Sequence, residues 1–501
     1  MCWRGRGLAL LPEVKSHYGR LKMYIDGEWF DSESGVYRET TNPATGEPIA
    51  EYPIALPEEV NRAVEAAEKA FEEWKEMELR RRIQYIYRLR EKFEEHFDEL
   101  ARILVQDHGR TIEEARGSIR RSIENIESAC AMAYTVAKGE HVDQIARNID
   151  ETLVYEPLGV FAIITPYNIP VHAWSSFVPY ALALGCTVVV SPATACPVIS
   201  NWIFKVMEEV GFPPGVANLV YGGREINKTL VSHPSVQGVG FIGSTRVGRE
   251  LYKLVGELGK RASINAGAKN HVVVMPDADL DVVVPRLLRA FYGMTGQRCL
   301  GSDVLIAIGD VYEELKRRFV EASARMKLGY GLDESVELGP MTTAQARQRV
   351  LDFIQKGLDE GAKLILDGRN PKLEDRYAKG YFLGPTIFDE VTPDMWIMKE
   401  ESFGPVACII RMESLDDAID LINNNTYYGH SASIFTTNIN YARDFRRKVN
   451  VGNVGINVAI AQPYAFFPLG SRKASFFGGA HSRIDTLRLF TDVKIIVSWR
   501  Y

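Results

Sequence analysis

Apolar residues recur at helical spacing through the early part of the chain. Pro57-Glu58-Glu59 opens a segment with apolar positions at Val60, Val64, Ala67 and Phe71, the period of an amphipathic helix with a proline-started first turn. A longer helical stretch, heavy in Arg and Glu, is predicted over 79–106, and a third over 112–138. Their charges read as solvated faces. Before them, Met23 opens YIDGEWFDSESG, where an Asp-Gly pair between apolar residues predicts a hairpin turn. From Leu153 the texture changes to strand-length apolar runs separated by amphipathic helices. The predicted strands are Val160–Ile164, Thr187–Val190, Ala217–Val220, Gly238–Ile242, His271–Val274 and Val304–Ile308. Near-continuous apolar strands alternating with helices predict an α/β fold with a parallel sheet covered on both faces. Such a sheet binds ligands at the carboxyl ends of its strands.

Length and composition narrow the picture. The chain has 501 residues, enough for about three domains at ~150 residues each. Lys and Arg number 59 against 65 Asp and Glu, a net charge of −6, so no basic surplus points to nucleic acid or an acidic membrane. The longest apolar stretch, 177–190, contains Pro179 and Gly185 and falls short of the ~20 residues a membrane span needs. The opening MCWRGRGLALLPEVK imitates a secretion signal, but its apolar part is short and is followed at once by Pro12 and Glu13. Residues 1–22 therefore read as an extension or an over-long start. Six cysteines without a CxxC or HExxH pattern argue against a disulfide framework and a zinc site. A reducing, cytoplasmic location and no metal are the expectation.

Three segments carry candidate chemistry. Gly238-Val239-Gly240-Phe241-Ile242-Gly243 satisfies G-x-G-x-x-G, but its first two glycines fall inside a predicted strand, so the match is formal. The useful part is Gly243-Ser244-Thr245, which ends that strand and starts a helix whose free N–H groups suit a phosphate. Cys299 sits in Gly293-Met294-Thr295-Gly296-Gln297-Arg298-Cys299-Leu300-Gly301. Irregular Gly-rich chain exposes a thiol there, and Arg298 beside it predicts a stabilised thiolate. Cys130, Cys186 and Cys408 lie in apolar or helical runs and read as buried; Cys196 leaves surface and packing both open; Cys2 lies in the extension. Asn168 follows a strand between Pro166 and Pro170, a rigid place from which an amide can donate to an oxyanion.

Together these pieces resemble the aldehyde dehydrogenase superfamily from about Met23 to Tyr501. Its motifs occur in order: TPYN at 165–168, GST at 243–245, GQRC at 296–299 and KEESFGPV at 399–406. GSTRVG at 243–248, GAKNHVVVMPDADLD at 267–281, EGAKLILDGR at 360–369, VGINV at 454–458 and GSR at 470–472 resemble the methylmalonate-semialdehyde dehydrogenase branch. The resemblance implies a Rossmann-type cofactor domain (23–139 and 157–265), an α/β catalytic domain (266–470) and a small β-strand oligomerisation flap with tail (140–156 and 471–501), in a homotetramer or dimer. It implies that Cys299 attacks the aldehyde and passes through a thiohemiacetal and a thioester. Asn168 and the nucleophile's own backbone N–H hold the oxyanion. Ile164, Thr165, Pro166, Tyr167, Ser191, Ala193, Thr194, Arg224, Gly243, Ser244, Gly267, Glu401 and Phe403 match cofactor positions. Arg298 and Arg121 match a pair of arginines that bind a substrate carboxylate, with Arg120 the alternative to Arg121.

Three departures from the pattern matter. Asn265 stands where hydrolytic members carry a general-base Glu, and an amide cannot take a proton from water at neutral pH. The resembled branch lacks this Glu too and passes its acyl group to coenzyme A, so acyl transfer to CoA and hydrolysis by another base are both open. Ser191-Pro192-Ala193-Thr194 replaces the family's Lys-Pro-x-Glu, removing the carboxylate that repels a 2′-phosphate, while Arg224 offers a phosphate partner. This leans toward NADP over NAD. The stretches 171–175 and 459–464 differ from what that branch would show, so the aldehyde is open to a short aliphatic or hydroxy-aldehyde; His172 reads as packing or lining. A non-redox Cys-based esterase or acyltransferase, and a silent structural protein on the same fold, are the competing readings.

Overall fold

The computed structural model describes residues 10–500. Its centre is an eight-stranded sheet in the order Glu28–Phe30, Met23–Ile25, Ala217–Leu219, Thr187–Pro192, Val160–Thr165, Val236–Ile242, Arg261–Asn265, Phe476–Gly478. The five strands from Ala217–Leu219 to Arg261–Asn265 pair in parallel, and the two flanking partners, Met23–Ile25 and Phe476–Gly478, join antiparallel. Val160–Thr165 and Thr187–Pro192 are buried at every position, which is why they read as unbroken apolar runs. A second, seven-stranded sheet runs Lys363–Leu366, Thr386–Asp389, Val406–Met412, Val304–Ile308, His271–Val274, Ser431–Phe435, Asn453–Ile456, with only Lys363–Leu366 antiparallel. The strands predicted from sequence are all present, but they divide between two sheets; periodicity reports burial and not which sheet a strand joins.

The chain order of the first sheet fixes where a ligand sits. From Val160–Thr165 the chain lays Thr187–Pro192 and Ala217–Leu219 to one side, then returns to place Val236–Ile242 and Arg261–Asn265 on the other. The crevice beyond the carboxyl ends of Val160–Thr165 and Val236–Ile242 is thus a topological switch point, the usual binding place in open α/β sheets.

Other local readings meet mixed outcomes. Asp26 and Gly27 both take positive φ, 54° and 83°, as a type I′ hairpin turn between Met23–Ile25 and Glu28–Phe30 requires. The single long helix expected over 79–106 is two, Leu79–Glu95 and Phe97–His108. The break is at His96, whose ring nitrogens contact Glu99 and Glu209 at 2.8 and 3.0 Å. The apolar period runs through the break because Ile86, Leu89, Phe93, Leu100 and Leu104 bury into one core. Residues 10–22, read as an extension, lie against the body: the Tyr18 hydroxyl donates to Gln106 Oε1 at 2.6 Å, Leu11 N donates to Leu332 O at 2.9 Å, and Leu21 is buried. Cys2 lies outside the described residues. Glu140–Ala146, Ile149–Pro157 and Thr491–Trp499 form a small antiparallel three-stranded flap.

Candidate active site

The switch-point crevice opens into a cavity of about 580 Å³. Its floor is the strand ends and the turns after them: Ile164 to Asn168 beyond Val160–Thr165, Ala193 and Thr194 beyond Thr187–Pro192, Gly243 and Ser244 beyond Val236–Ile242. Ser244 is the N-cap of Thr245–Glu257, its Oγ accepting from Val247 N at 3.5 Å. The remaining N–H groups of that first turn form an anion-attracting end at the cavity. Gly267, Arg224, Glu401 and Phe403 also line it, so every cofactor position expected from sequence borders this cavity except Ser191. Ser191 is buried in its strand and donates to Asn227 Oδ1 at 2.6 Å; Asn227 reaches the lining in its place. Arg224 pairs with Glu250 at 3.1 Å, a contact that Arg246 shares at 3.6 Å.

The nucleophile loop is held in an unusual conformation. After the helix Leu280–Tyr292, Met294, Thr295 and Gly296 take φ of 55°, 56° and 69°. Two non-glycine residues in the left-handed region cost free energy that the surroundings must offset. Glu114 Oε1 accepts from Met294 N at 2.6 Å, the Thr295 hydroxyl donates to Gly339 O at 2.9 Å, and Asn270 Nδ2 donates to the carbonyls of Cys299 and Gly301 at 2.7 and 2.6 Å. Gly296 packs directly on Gly404, where a side chain would collide with the Gly404 carbonyl. The Cys299 loop and the 399–406 segment are therefore locked together, which brings Glu401 and Phe403 to the same cavity as the thiol.

Cys299 lines this cavity and also a second one, of about 230 Å³, on its other side. It is the one residue common to both linings. Burial pushes its thiol up to about 11, and the opposing pull of Arg298 is the smaller effect. The thiolate expected from the neighbouring arginine is therefore not the resting form: Arg298 donates to Gln462 Oε1 at 2.5 Å, and desolvation dominates. Cys130, Cys186, Cys196 and Cys408 are buried.

Asn168 is buried at the cavity wall, with Nδ2 donating to Gln297 O at 2.9 Å, two residues before the nucleophile. One amide hydrogen is held there and the second is left over. Asn265 ends its strand, buried, with both side-chain polar atoms lacking a protein partner. Glu401 accepts from Ala268 N at 3.0 Å, and burial, then Asp303, raise its carboxyl to about 8. A Cβ on Gly267 would stand 2.9 Å from Glu401 Oε2, so a side chain there would push the carboxylate from its place.

Of the two adjacent arginines, one lines the second cavity and the other does not. Arg121 lines it, stacked on Tyr464 at 3.9 Å and paired with Glu124 at 3.2 Å. Arg120 faces outward and pairs with Glu94. Arg298 and His172 line the same cavity, as does Gln462 from the divergent 459–464 stretch. Sequence reasoning missed Arg110, Glu114 and Arg483, which also line it. Glu114 had a signal: Thr111-Ile112-Glu113-Glu114 is a capping-box pattern, and Glu114 accepts from Thr111 N at 3.0 Å. Arg483 had none.

The comparisons with known proteins agree with this geometry. The model of the aldehyde dehydrogenase family matches residues 29–496. Malonate-semialdehyde dehydrogenase 3 of Geobacillus kaustophilus (strain HTA426) is 39% identical over 479 residues, covering 95% of this chain and 98% of that protein. The malonate-semialdehyde dehydrogenase of Halalkalibacterium halodurans is 39% identical over 481 residues, 96% of this chain and 98% of that one. Among solved structures, methylmalonate-semialdehyde dehydrogenase from Oceanimonas doudoroffii superposes with a TM-score of 0.94 at 35% identity, covering 96% of this chain and 99% of that chain. A Sinorhizobium meliloti 1021 protein, solved with NAD, also gives 0.94, at 34% identity over 97% of this chain and 98% of its own. With a match spanning nearly its whole length and a cysteine placed between two cavities, the chain belongs to the aldehyde dehydrogenase family.

Proposed function

We propose that the protein oxidises a short, carboxylate-bearing aldehyde with a nicotinamide dinucleotide and passes the acyl group to coenzyme A. The observation that carries this reading is the placement of Cys299 between a dinucleotide-sized cavity and a small one lined by arginines; an amide, Asn265, at the sequence position where hydrolytic members carry a Glu supports it. The larger cavity fits the cofactor: a helix N-terminus at Ser244 for the pyrophosphate, Glu401 for a ribose, and Phe403 against the ring. When bound, the nicotinamide supplies the hydride acceptor for the oxidation.

The chain's own residues do the rest. Arg298 and Arg121 orient the substrate carboxylate, so the aldehyde carbon lies at Cys299. The Cys299 thiol releases its proton to solvent and its sulfur bonds to the carbonyl carbon, whose π electrons move to the oxygen. The Asn168 amide and the Cys299 backbone N–H hold the oxyanion. Loss of hydride leaves a thioester on Cys299. The thiol of coenzyme A then takes the acyl group, and the Cys299 thiol re-forms. Asn265 cannot activate water, which favours this exchange over hydrolysis.

The cofactor reading leans to NADP. Glu401 is the one carboxylate in the cavity lining, while Arg224 and Arg246 line it too, sharing Glu250 until a phosphate competes for them. NAD is the alternative, and the Sinorhizobium relative was solved with it. The homo-oligomer expected from sequence is supported by the flap, which exposes Val493, Ile495, Val497 and Trp499.

One experiment tests the whole reading: malonate semialdehyde and short aliphatic aldehydes, each with NAD and NADP, with and without coenzyme A. Acyl-CoA formation with NADP preferred is the expected result. Free acid at full rate without coenzyme A overturns the acyl-transfer step, a strong NAD preference overturns the cofactor lean, and ester cleavage with no nicotinamide reduction overturns the oxidation itself.

A further inference from the structure

We propose that the small cavity beyond Cys299 selects an aldehyde whose tail carries two negative charges, and that Arg483 discriminates it from a monoanion. This rests on the reading above that the cavity takes an anionic aldehyde.

Charge balance within the cavity leads to it. Four guanidiniums line the space, those of Arg110, Arg121, Arg298 and Arg483, with Glu114 the one lining carboxylate. Arg121 is paired with Glu124. Among the described residues the other three have no ion-pair partner, and Arg110 and Arg483 are each only 1% exposed. Three unpaired guanidiniums thus face one carboxylate, and a dianion brings the cavity to neutrality. A monoanion leaves one buried charge unmatched, an unfavourable state for a cation out of water.

The free donors agree. Arg110 donates to Asn168 O through one terminal nitrogen, leaving Nε and the other terminal nitrogen unpartnered. Arg483 donates to Pro463 O at 2.8 Å and lies 3.1 Å from His172 Nε2, with its Nε unpartnered. Burial and then Arg483 hold His172 well below its ordinary range, so it is neutral. A neutral ring that accepts at Nε2 carries its proton on Nδ1, and that atom too is buried without a partner. The residues lining the cavity therefore hold unpartnered buried donors beyond the two arginines that a single carboxylate engages. At about 230 Å³ it admits a short carbon chain only.

A phosphomonoester and a dicarboxylate present the same double charge, and the assay separates them. The full-length enzyme, with its preferred cofactor, is given propanal, malonate semialdehyde, glyceraldehyde 3-phosphate and 2-formylsuccinate. One of the two dianions is expected to exceed malonate semialdehyde in kcat/KM by about tenfold or more. Arg483→Gln should lower that dianion's kcat/KM at least about tenfold more than it lowers that of malonate semialdehyde, chiefly through KM. Arg483→Lys should restore part of the loss. Malonate semialdehyde equal to or better than both dianions overturns the proposal, as does a Gln variant that weakens both classes equally. A second readout needs no turnover: inorganic phosphate should protect Cys299 from iodoacetamide at lower concentration than acetate, and Arg483→Gln should erase the difference. Protection without oxidation of any aldehyde would defeat the parent reading and leave the charge selection standing; equal protection by the two anions would defeat the selection.

Discussion

The two cavities that meet at Cys299 are built by different means. The larger one is made mostly of backbone: strand ends, prolines, glycines and a helix N-terminus at a switch point that the strand order dictates. The smaller one is made of long charged side chains from separate segments, around residues 110–121, 169–172, 294–300, 462–469 and 483. The difference teaches which half of the chemistry is tied to the fold. A parallel sheet with this order offers a dinucleotide crevice whatever side chains it carries. The aldehyde pocket depends on a few side chains and can change its substrate while the fold stays the same.

The largest test of that division is removal of the shared residue. Cys299→Ala should lower aldehyde oxidation by at least about 10³-fold. Because the larger cavity is backbone-built, the dinucleotide Kd, read from tryptophan fluorescence quenching, should stay within about threefold of wild type. A variant that retains turnover, or that loses cofactor affinity along with it, would break the separation between the two halves.

The same contrast explains what could be read from the sequence. TPYN at 165–168, GST at 243–245 and the strands before them were legible because each motif is contiguous and its role follows from where its strand ends. Asn265 was legible as a departure for the same reason, closing the strand Arg261–Asn265. The small cavity was only half legible. Arg298 adjoins the nucleophile and Arg121 could be carried over within a one-residue slip, but Arg483 reaches the site from a tail segment with no local signal. Ser191 shows the opposite error. It has the expected place in the chain, yet its side chain turns to Asn227 inside the fold. Side-chain direction and burial come from packing, and so does the failure of Arg298 to make a thiolate of Cys299.

That last point gives the next test, of intermediate size. With its thiol pushed up to about 11, free Cys299 is protonated at neutral pH. Its iodoacetamide inactivation rate should rise about tenfold per pH unit, or ~100-fold from pH 7 to pH 9. A rate already level above pH 7 would mean that Arg298 outweighs burial, and that the charged cavity controls the nucleophile as well as the substrate.

The smallest expected effect sharpens the cofactor side, where one carboxylate stands among backbone donors and three arginines. Burial raises the Glu401 carboxyl from the ordinary 4.5 to about 8. A carboxyl raised in the folded state binds its proton more tightly there than in the unfolded chain. Stability from this group is therefore fully present below about 4.5 and is lost as pH rises through about 8. Glu401→Gln keeps the shape and the neutral state at every pH. The variant and wild type should melt close together at pH 5, and the variant should melt higher at pH 9, by about 4 °C for a chain of this size. A gap that stays constant between the two pH values would show that Glu401 is ionised throughout. In that case the backbone N–H of Ala268 and the nearby Arg349 and Lys269 outweigh its burial, and the larger cavity holds a permanent negative charge beside Cys299.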